Sequence, residues 1–410
     1  MDLTADTDQE TFRTEVRSFL TTHLPDDWQG YGALSEAERQ EFAPRWRETL
    51  LGNGYLAVAW PKEYGGAGLG LMQQVIVQEE FVRAGAPLLP IPSDSFGFSL
   101  IGPTILHAGT DDQRARFLPK IVSGEHRWCQ GYSEPEAGSD LFGLKTRAVR
   151  DGDNWIVNGQ KVWQTAGLHA NWIFALARTD PDAPKAKGLS MLLLPMDQPG
   201  VEVRPIRTMT GREEFCEVFF TDAVTHVDNM VGEVNDGARM TMTLLGFERG
   251  ASSGAAYLLH RQELERLCDL VQEQGRADDP WIRQELAWCF SKVEIFKYLG
   301  LRTLTRAASG KSPGPESSMS KLYTSEYHKR VARLSMDVLG LRSTYAGGAE
   351  AVADLGPEPL GSPNSPAAWQ RVYMTSLAAT IYGGSSQIQR NTLGERVLGL
   401  PREPRPTTTG

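Results

Sequence analysis

The 410-residue sequence predicts an α+β chain built in three successive parts: helices, a small antiparallel β domain, and helices again. Three observations predict it. Apolar residues recur at three- and four-residue spacing up to about position 127, strand-length runs fill about 128–236, and the helical period returns from 237 onward. This order is not the alternation of a doubly wound sheet, so a nicotinamide-type dinucleotide fold is disfavoured.

In the first part, residues 1–127, the helical spacing covers 11–20, 36–51 and 72–83, with loops rich in Gly and Pro between them. The segment WPKEYGGAGLG at 60–70 fits neither GxxxxGK[ST] nor a strand followed by GxGxxG, and it reads as a turn. In the second part, 128–236, the runs 155–157, 172–177, 189–194, 201–205 and 217–220 are rich in β-branched and aromatic residues, with DGDN, NGQ and PG turns around them. In the third part, 237–410, helical patterns cover 281–306, 318–339 and 367–381. Segments 308–317 and 346–366, dense in Gly, Pro and Ser, read as loops.

Composition narrows the function. A hydrophobic fraction of 40% with 23% charged residues describes a soluble globular protein of more than one domain. The net charge of −9 and the scattered cations leave no footprint for nucleic acid. The N-terminal MDLTADTDQETFRTEVRSF lacks the order of a signal peptide, and no apolar run reaches spanning length, so a cytoplasmic protein without a membrane partner is expected. Cys129, Cys216, Cys268 and Cys289 are far apart and read as reduced thiols. The 7 histidines form no HExxH and no cluster with cysteine, so no metal is expected, and GxSxG is absent.

The stretch 241–260 reads as a helix carrying Glu248, whose neighbours one turn away are Leu244, Leu245, Ala251 and Ser252. No lysine or arginine can pair with it locally, which makes it a candidate catalytic base. An ordinary surface glutamate, or one paired with a distant arginine, fits this segment at least as well. Gly246, Gly250 and Gly254 fall on the opposite side, where they would admit a second backbone.

The segments QGYSEPEAGSD at 130–140, VNGQKVWQTAG at 157–167 and IYGGSSQIQR at 381–390, in this order and with WPKEYGG before them, resemble the acyl-CoA dehydrogenase family of flavoproteins across nearly the whole chain. The resemblance implies a tetrameric fold of an N-terminal helical domain, a β domain and a C-terminal four-helix bundle, enclosing FAD and an acyl-CoA thioester. It implies that Tyr132 and Ser133 hold the pyrimidine side of the flavin. Gly138 and Ser139 would lie along flavin and substrate, Trp163 would pack on the isoalloxazine, and Thr165 would bond near its N5. An apolar ring face takes an aromatic, and polar edge atoms need donors when buried. Ser385 and Gln387 resemble the family's FAD contacts before the last helix.

The reaction so implied needs a base for the α proton, a hydride acceptor for the β carbon and donors for the thioester carbonyl. One donor is the backbone amide at the position held here by Gly383, where most of the family carries its catalytic glutamate. LGFERG at 245–250 matches the helix from which isovaleryl and long-chain enzymes supply the base instead. The resemblance therefore assigns the base to Glu248, with a pKa tuned by burial to about 6–7, and places Arg249 near the CoA entrance or the catalytic helix, a surface ion pair fitting this arginine equally well. Glycine at 383 empties one wall of the acyl pocket and suits a bulky or branched acyl group. Electrons would leave to an electron-transfer flavoprotein or similar acceptor.

Two family motifs are altered. HRQELERLCDLVQEQGRADDP at 260–280 replaces an Arg-x-x-Phe-Gly segment, and DVLGLRS at 337–343 replaces QxxGGxG; both serve the adenosine-diphosphate end of FAD across the dimer. Either the chain forms a homotetramer with substituted contacts, or a second acyl-CoA dehydrogenase-like subunit completes an α2β2 assembly, as in actinobacterial relatives acting on steroid side-chain CoA thioesters. The second reading accounts for keeping the near side of the site while losing what is donated to a neighbour. A flavin oxidase or monooxygenase on this fold, a non-catalytic scaffold subunit, and acyl carrier protein thioesters remain open.

Overall fold

The computed structural model describes residues 7–247, 255–311, 314–353 and 355–402. The first layer contains α1 (Thr7–His23), α2 (Glu36–Gly52), α3 (Leu71–Ala84), a single turn α4 (Asp94–Phe96), a π-turn (Gly97–Ile101), α5 (Gly102–Ala108) and α6 (Asp111–Ser123). Local chemistry starts and stops these helices. At α2 the Ser35 hydroxyl accepts from Glu38 N while the Glu38 carboxylate accepts from Ser35 N. Thr110 and Gln113 do the same for α6, which ends on Gly124 with φ +82°.

The segment WPKEYGG is more than a turn. A π-turn frees carbonyls that a regular helix would pair, and here the Trp60 indole N–H donates to Phe98 O at 3.3 Å while the Thr104 hydroxyl donates to Leu100 O at 2.8 Å. A Cβ on Gly102 would meet Trp60 Cζ2 at 2.1 Å, so only glycine lets the indole seat beneath the turn.

The sheet contains β1 (Trp128–Gly131), β2 (Arg147–Asp151), β3 (Asn154–Thr165), β4 (Trp172–Arg178), β5 (Leu189–Pro195), β6 (Val201–Ile206), β7 (Phe215–His226) and β8 (Met230–Val231), in the order β6-β7-β3-β2-β4-β5-β8, with β1 beside β4. Pairing is antiparallel except that β1 and β2 run parallel to β4. The uninterrupted apolar runs of β4 and β5 follow from burial on both faces. Phe174, Leu176, Met191 and Leu193 pack with the N-terminal helices, while Ile173, Ala175, Leu192 and Leu194 join a second core with Trp155 and Val218.

The chain then forms α7 (Gly237–Phe247), α8 (Ala256–Glu273), α9 (Pro280–Ala308), α10 (Ser318–Leu339), α11 (Pro366–Ala379) and α12 (Ser386–Thr392). Helix α7 belongs to the first core: Met240 and Leu244 are fully buried there, and the helix packs on β5, α5 and the π-turn. Helices α8 to α11 enclose a core of their own around Leu267, Phe296, Val331 and Trp369. The close backbone approach expected at Gly246 is not made among the described residues, since a Cβ there would meet nothing within 4 Å. Gly250 and Gly254 lie outside the described residues.

The Gly/Pro-rich segment before α11 straps the three parts together. Gly32 N donates to Leu360 O at 2.9 Å, Arg212 pairs with Glu350 at 3.2 Å, and the buried Glu358 carboxylate accepts from Val352 N and Ala353 N at 2.7 and 2.8 Å. Behind it, Arg371 of α11 reaches Glu214, which precedes β7, at 3.3 Å with both side chains 5% exposed.

Where α6 meets the sheet, His126 sits among Phe117, Trp128 and Trp172, its ring 4.9 Å from that of Trp172. Burial, reinforced by Lys120, pulls its pKa down to about 4. An unfolded histidine takes its proton near 6.5, so between about pH 6.5 and 4 the unfolded state binds more protons and acid favours it. The unfolding midpoint is therefore expected to fall on acidification through this window. His126→Phe should flatten that dependence; an unchanged pH profile would show that the ring titrates as if exposed.

Candidate active site

Strands β1 and β3 bring the first group of candidate residues together. Val162 N donates to Ser133 O at 3.0 Å and Lys161 Nζ to Tyr132 O at 3.2 Å, so the chain leaving β1 is stapled to β3. Glu134 and Ala137 then pair across a tight turn that leads into Gly138 and Ser139. Beneath it lies a buried ion pair. Lys161, fully buried, donates to Glu134 Oε1 at 2.8 Å, and the same carboxylate accepts from Lys145 N at 2.6 Å and Thr146 N at 2.9 Å. Burial pulls the Lys161 ammonium down to about 8 against the attraction of Glu134. Burial pushes the Glu134 carboxyl up, but Lys161 and the donors at 145 and 146 outweigh it and hold it below its ordinary range.

Trp163 is the most unusual residue of the sheet. The β3–β7 register shifts between Val162 and Gln164, and Trp163 takes φ +69°, a left-handed conformation that bulky residues rarely adopt. The bulge turns the indole out of the sheet, leaving it 58% exposed with the Phe215 ring edge-on at 5.9 Å. A buried core tryptophan would need neither the strain nor the exposure. Strain of this kind concentrates at ligand clamps.

The donor chemistry around this indole fits a flavin. The hydroxyls of Ser133 and Thr165 are half-buried and that of Ser139 is exposed, and none forms a hydrogen bond among the described residues. A Cβ on Gly138 would meet nothing within 4 Å, so the backbone there is open to a ligand. An exposed aromatic face beside uncommitted hydroxyls is what a planar heterocycle with polar edges requires.

The second group lies on the α11–α12 turn. Gly383 and Gly384 take φ +61° and +89°. Ser385 caps α12, accepting from Ile388 N at 3.3 Å, while Ser386 donates to Glu326 at 2.8 Å. Gln387, assigned to FAD by resemblance, is exposed; the buried glutamine is Gln389, whose amide donates to Gly383 O at 3.2 Å and fixes the turn. Lys321 of α10 donates to Ala379 O at 2.6 Å, and its Cε is the atom nearest to a Cβ built on Gly383, at 3.7 Å. Glu248 and Arg249 lie outside the described residues, immediately after α7.

The described residues contain no His/Cys/Asp/Glu group able to hold a metal, and no helix long and apolar enough to cross a membrane. All four cysteines are free, and burial pushes the Cys216 and Cys289 thiols up to about 12. They are poor nucleophiles. Sequence reasoning missed the Lys161–Glu134 pair. Its only trace is a glutamate in one motif and a lysine in another, 27 positions apart.

Three domain families match in order: acyl-CoA dehydrogenase N-terminal domain over residues 6–125, middle domain over 129–223 and C-terminal domain over 235–398. The chain is 41% identical over 400 residues to acyl-CoA dehydrogenase IpdE1 of Mycobacterium tuberculosis, covering 97% of this chain and 99% of that protein. Among solved structures it is similar to the Tcur3481-Tcur3483 steroid ACAD, with TM-score 0.79 and 29% identity over 98% of this chain and 100% of that one. It is also similar to the ChsE4-ChsE5 complex from Mycobacterium tuberculosis, with TM-score 0.76 and 32% identity over 98% and 100% of the two chains.

Proposed function

The chain belongs to the acyl-CoA dehydrogenase family, and from that premise we propose that it desaturates a bulky acyl-CoA thioester at the α,β position with FAD, using Glu248 as the base. The observation that carries the reading is the Trp163 bulge, which presents a strained, exposed indole on the strand that carries Thr165 and bonds to Ser133 O through Val162 N, with the hydroxyls of Ser133 and Thr165 uncommitted among the described residues. These residues, with Tyr132, would hold the flavin, and Ser385 and Gln387 would meet it from the α11–α12 turn. When bound, FAD supplies the hydride acceptor for the β carbon.

The other roles fall to the protein. The Gly383 N–H donates to the thioester carbonyl as charge develops there. Glu248 takes the α proton to its carboxylate. Arg249 and Ser139 position the thioester. The three parts divide at 127 and 236, and electrons leave to an electron-transfer flavoprotein or a similar acceptor.

A steroid-derived acyl group is supported by the steroid ACAD among the similar structures and by Gly383, which leaves a wall of the pocket without a side chain. A second acyl-CoA dehydrogenase-like subunit in an α2β2 assembly is supported by the ChsE4-ChsE5 complex and by the two altered FAD motifs. The test is flavin content and anaerobic bleaching across thioesters from isovaleryl-CoA to steroid side-chain CoA, for the chain alone and with its co-expressed partner. Retained FAD bleached fastest by the steroid thioester is expected. Bleaching confined to short acyl groups would overturn the substrate class, and a flavin-free, inert complex would overturn the activity.

A further inference from the structure

The Gly383 amide must meet a thioester carbonyl, yet its own neighbours do little to hold it. Gly383 and Gly384 take φ +61° and +89°, and glycine crosses between such conformations at little cost. Ile381 and Tyr382, just before them, are 70% and 41% exposed, so their side chains lie largely outside the core. A donor stabilises developing charge best where its direction is fixed in advance.

Helix α10 supplies that fixing on both sides of the turn. On the entering side, Lys321 Nζ donates to Ala379 O at 2.6 Å and lies 5.5 Å from the centroid of the Tyr382 ring. Ala379 O is among the last carbonyls of α11, which find no partner in their own helix and form its negative end. A cation near the start of α10 opposes that helix's own dipole, so its favourable partner is the end of α11. On the leaving side, Glu326 of the same helix accepts from Ser386 Oγ at 2.8 Å and pairs with Arg390 at 3.2 Å, while Gln389 Nε2 donates to Gly383 O at 3.2 Å. The carbonyl of Gly383 is thus held from α12. Its N–H belongs to the peptide that follows Tyr382, and the anchor on that side is the Lys321 ammonium.

We propose that Lys321 is a positioning residue for the desaturation, holding the Tyr382–Gly383 peptide so that its N–H meets the thioester carbonyl; the inference rests on the acyl-CoA dehydrogenase reading. Capping α11 would need only the bond to Ala379 O. The second contact, on the ring next to Gly383, couples the lysine to the amide itself. Lys321 Cε comes within 3.7 Å of a Cβ built on Gly383, so the positive charge, one bond further on, adds to the field at that amide.

The test compares wild type with Lys321→Met, Lys321→Gln and Lys321→Arg in the flavin-loaded protein, with its partner if one is required. Methionine keeps the stem and loses the cation, glutamine keeps a donor, and arginine keeps donor and charge. The probes are the acyl-CoA that bleaches wild type fastest and 3-thiaoctanoyl-CoA, whose acidic α proton can leave without β-hydride transfer and give a charge-transfer band. In Lys321→Met, kcat is expected to fall about 10- to 100-fold with KM within about 3-fold. The charge-transfer band at saturation should weaken, and backbone amide exchange over 380–385 should quicken. Lys321→Arg should recover most of the rate. If Lys321→Met melts below the assay temperature, the glutamine and arginine variants carry the comparison, with glutamine the slower. Wild-type kcat, band and exchange in Lys321→Met would overturn the proposal. So would a loss shared equally by kcat, thioester binding and melting temperature, which marks a helix cap and nothing more. Exchange over 380–385 that quickens in Lys321→Met while no acyl-CoA bleaches wild type would leave the positioning of the turn standing and remove the dehydrogenase reading instead.

Discussion

Glu248→Gln is expected to slow anaerobic flavin bleaching by the best acyl-CoA thioester about 10²- to 10⁴-fold, the range removed when a positioned general base is lost. The amide is nearly isosteric, so FAD content and thioester binding, read from the charge-transfer spectrum, should change far less than the rate. This is the largest effect expected from any single substitution here, because the α proton is a weak acid and water reaches an enclosed site poorly. Helix α7, which ends at Phe247, is anchored by Met240 and Leu244, both fully buried. A second carboxylate position provides the control. A Cβ on Gly383 would meet only Lys321 Cε, at 3.7 Å, so space admits Gly383→Glu. Its φ of +61° strains any side-chain residue by about 1–2 kcal/mol. Gly383→Glu added to Glu248→Gln should restore part of the rate with short acyl groups and none with bulky ones, because the new side chain fills the space that glycine leaves. A single Glu248→Gln protein bleaching at the wild-type rate would move the base to another residue or another subunit.

How far the site could be read from the sequence depended on whether a feature was local. The apolar runs of β4 and β5 and the loops at 308–317 and 346–366 are set by neighbours a few positions apart, and they were legible; the capping boxes of α2 and α6 are equally local but were not read. Trp163 was legible as a residue of a flavin motif but not as a bulge, because the register shift is decided by the pairing of β3 with β7. WPKEYGG read as a turn because its function, wedging Trp60 under the π-turn, involves residues about 40 positions away (Phe98 lies 38 further on). That Gln387 is exposed while Gln389 is buried was not legible, because the tertiary packing that decides it leaves no periodic signal. The strap across Gly32, Arg212 and the bundle is likewise a set of long-range contacts made by a segment whose composition says only that it is not helical. Local pattern predicts elements; the partners of a charged or strained residue come from the fold.

Lys161→Met is expected to cost about 3–5 kcal/mol of stability, the loss found when one member of a buried pair is removed and the other is left charged. Lys161 is fully buried, and without it the Glu134 carboxylate keeps only the N–H groups of Lys145 and Thr146. Methionine fills most of the volume, so little of the loss is cavity. The pH dependence should also reverse. In the wild type the Glu134 pKa is held below its ordinary range, so its contribution is present above the unfolded pKa and is lost as pH falls through the folded one. In the variant burial dominates and raises that pKa, the folded state binds the extra proton, and stability falls as pH rises from about 4 toward the raised value. Urea midpoints at pH 5 and 8 separate the two cases: the variant should be less destabilised at pH 5. Adding Glu134→Gln should recover part of the loss, because it removes the stranded charge. The same pair holds the chain that carries Tyr132 and Ser133 against β3. The variant should therefore also purify with less FAD, even at temperatures well below its melting point. A Lys161→Met protein with unchanged stability at both pH values would mean that Glu134 is already neutral in the fold, and the staple between β1 and β3 would then rest on backbone hydrogen bonds alone.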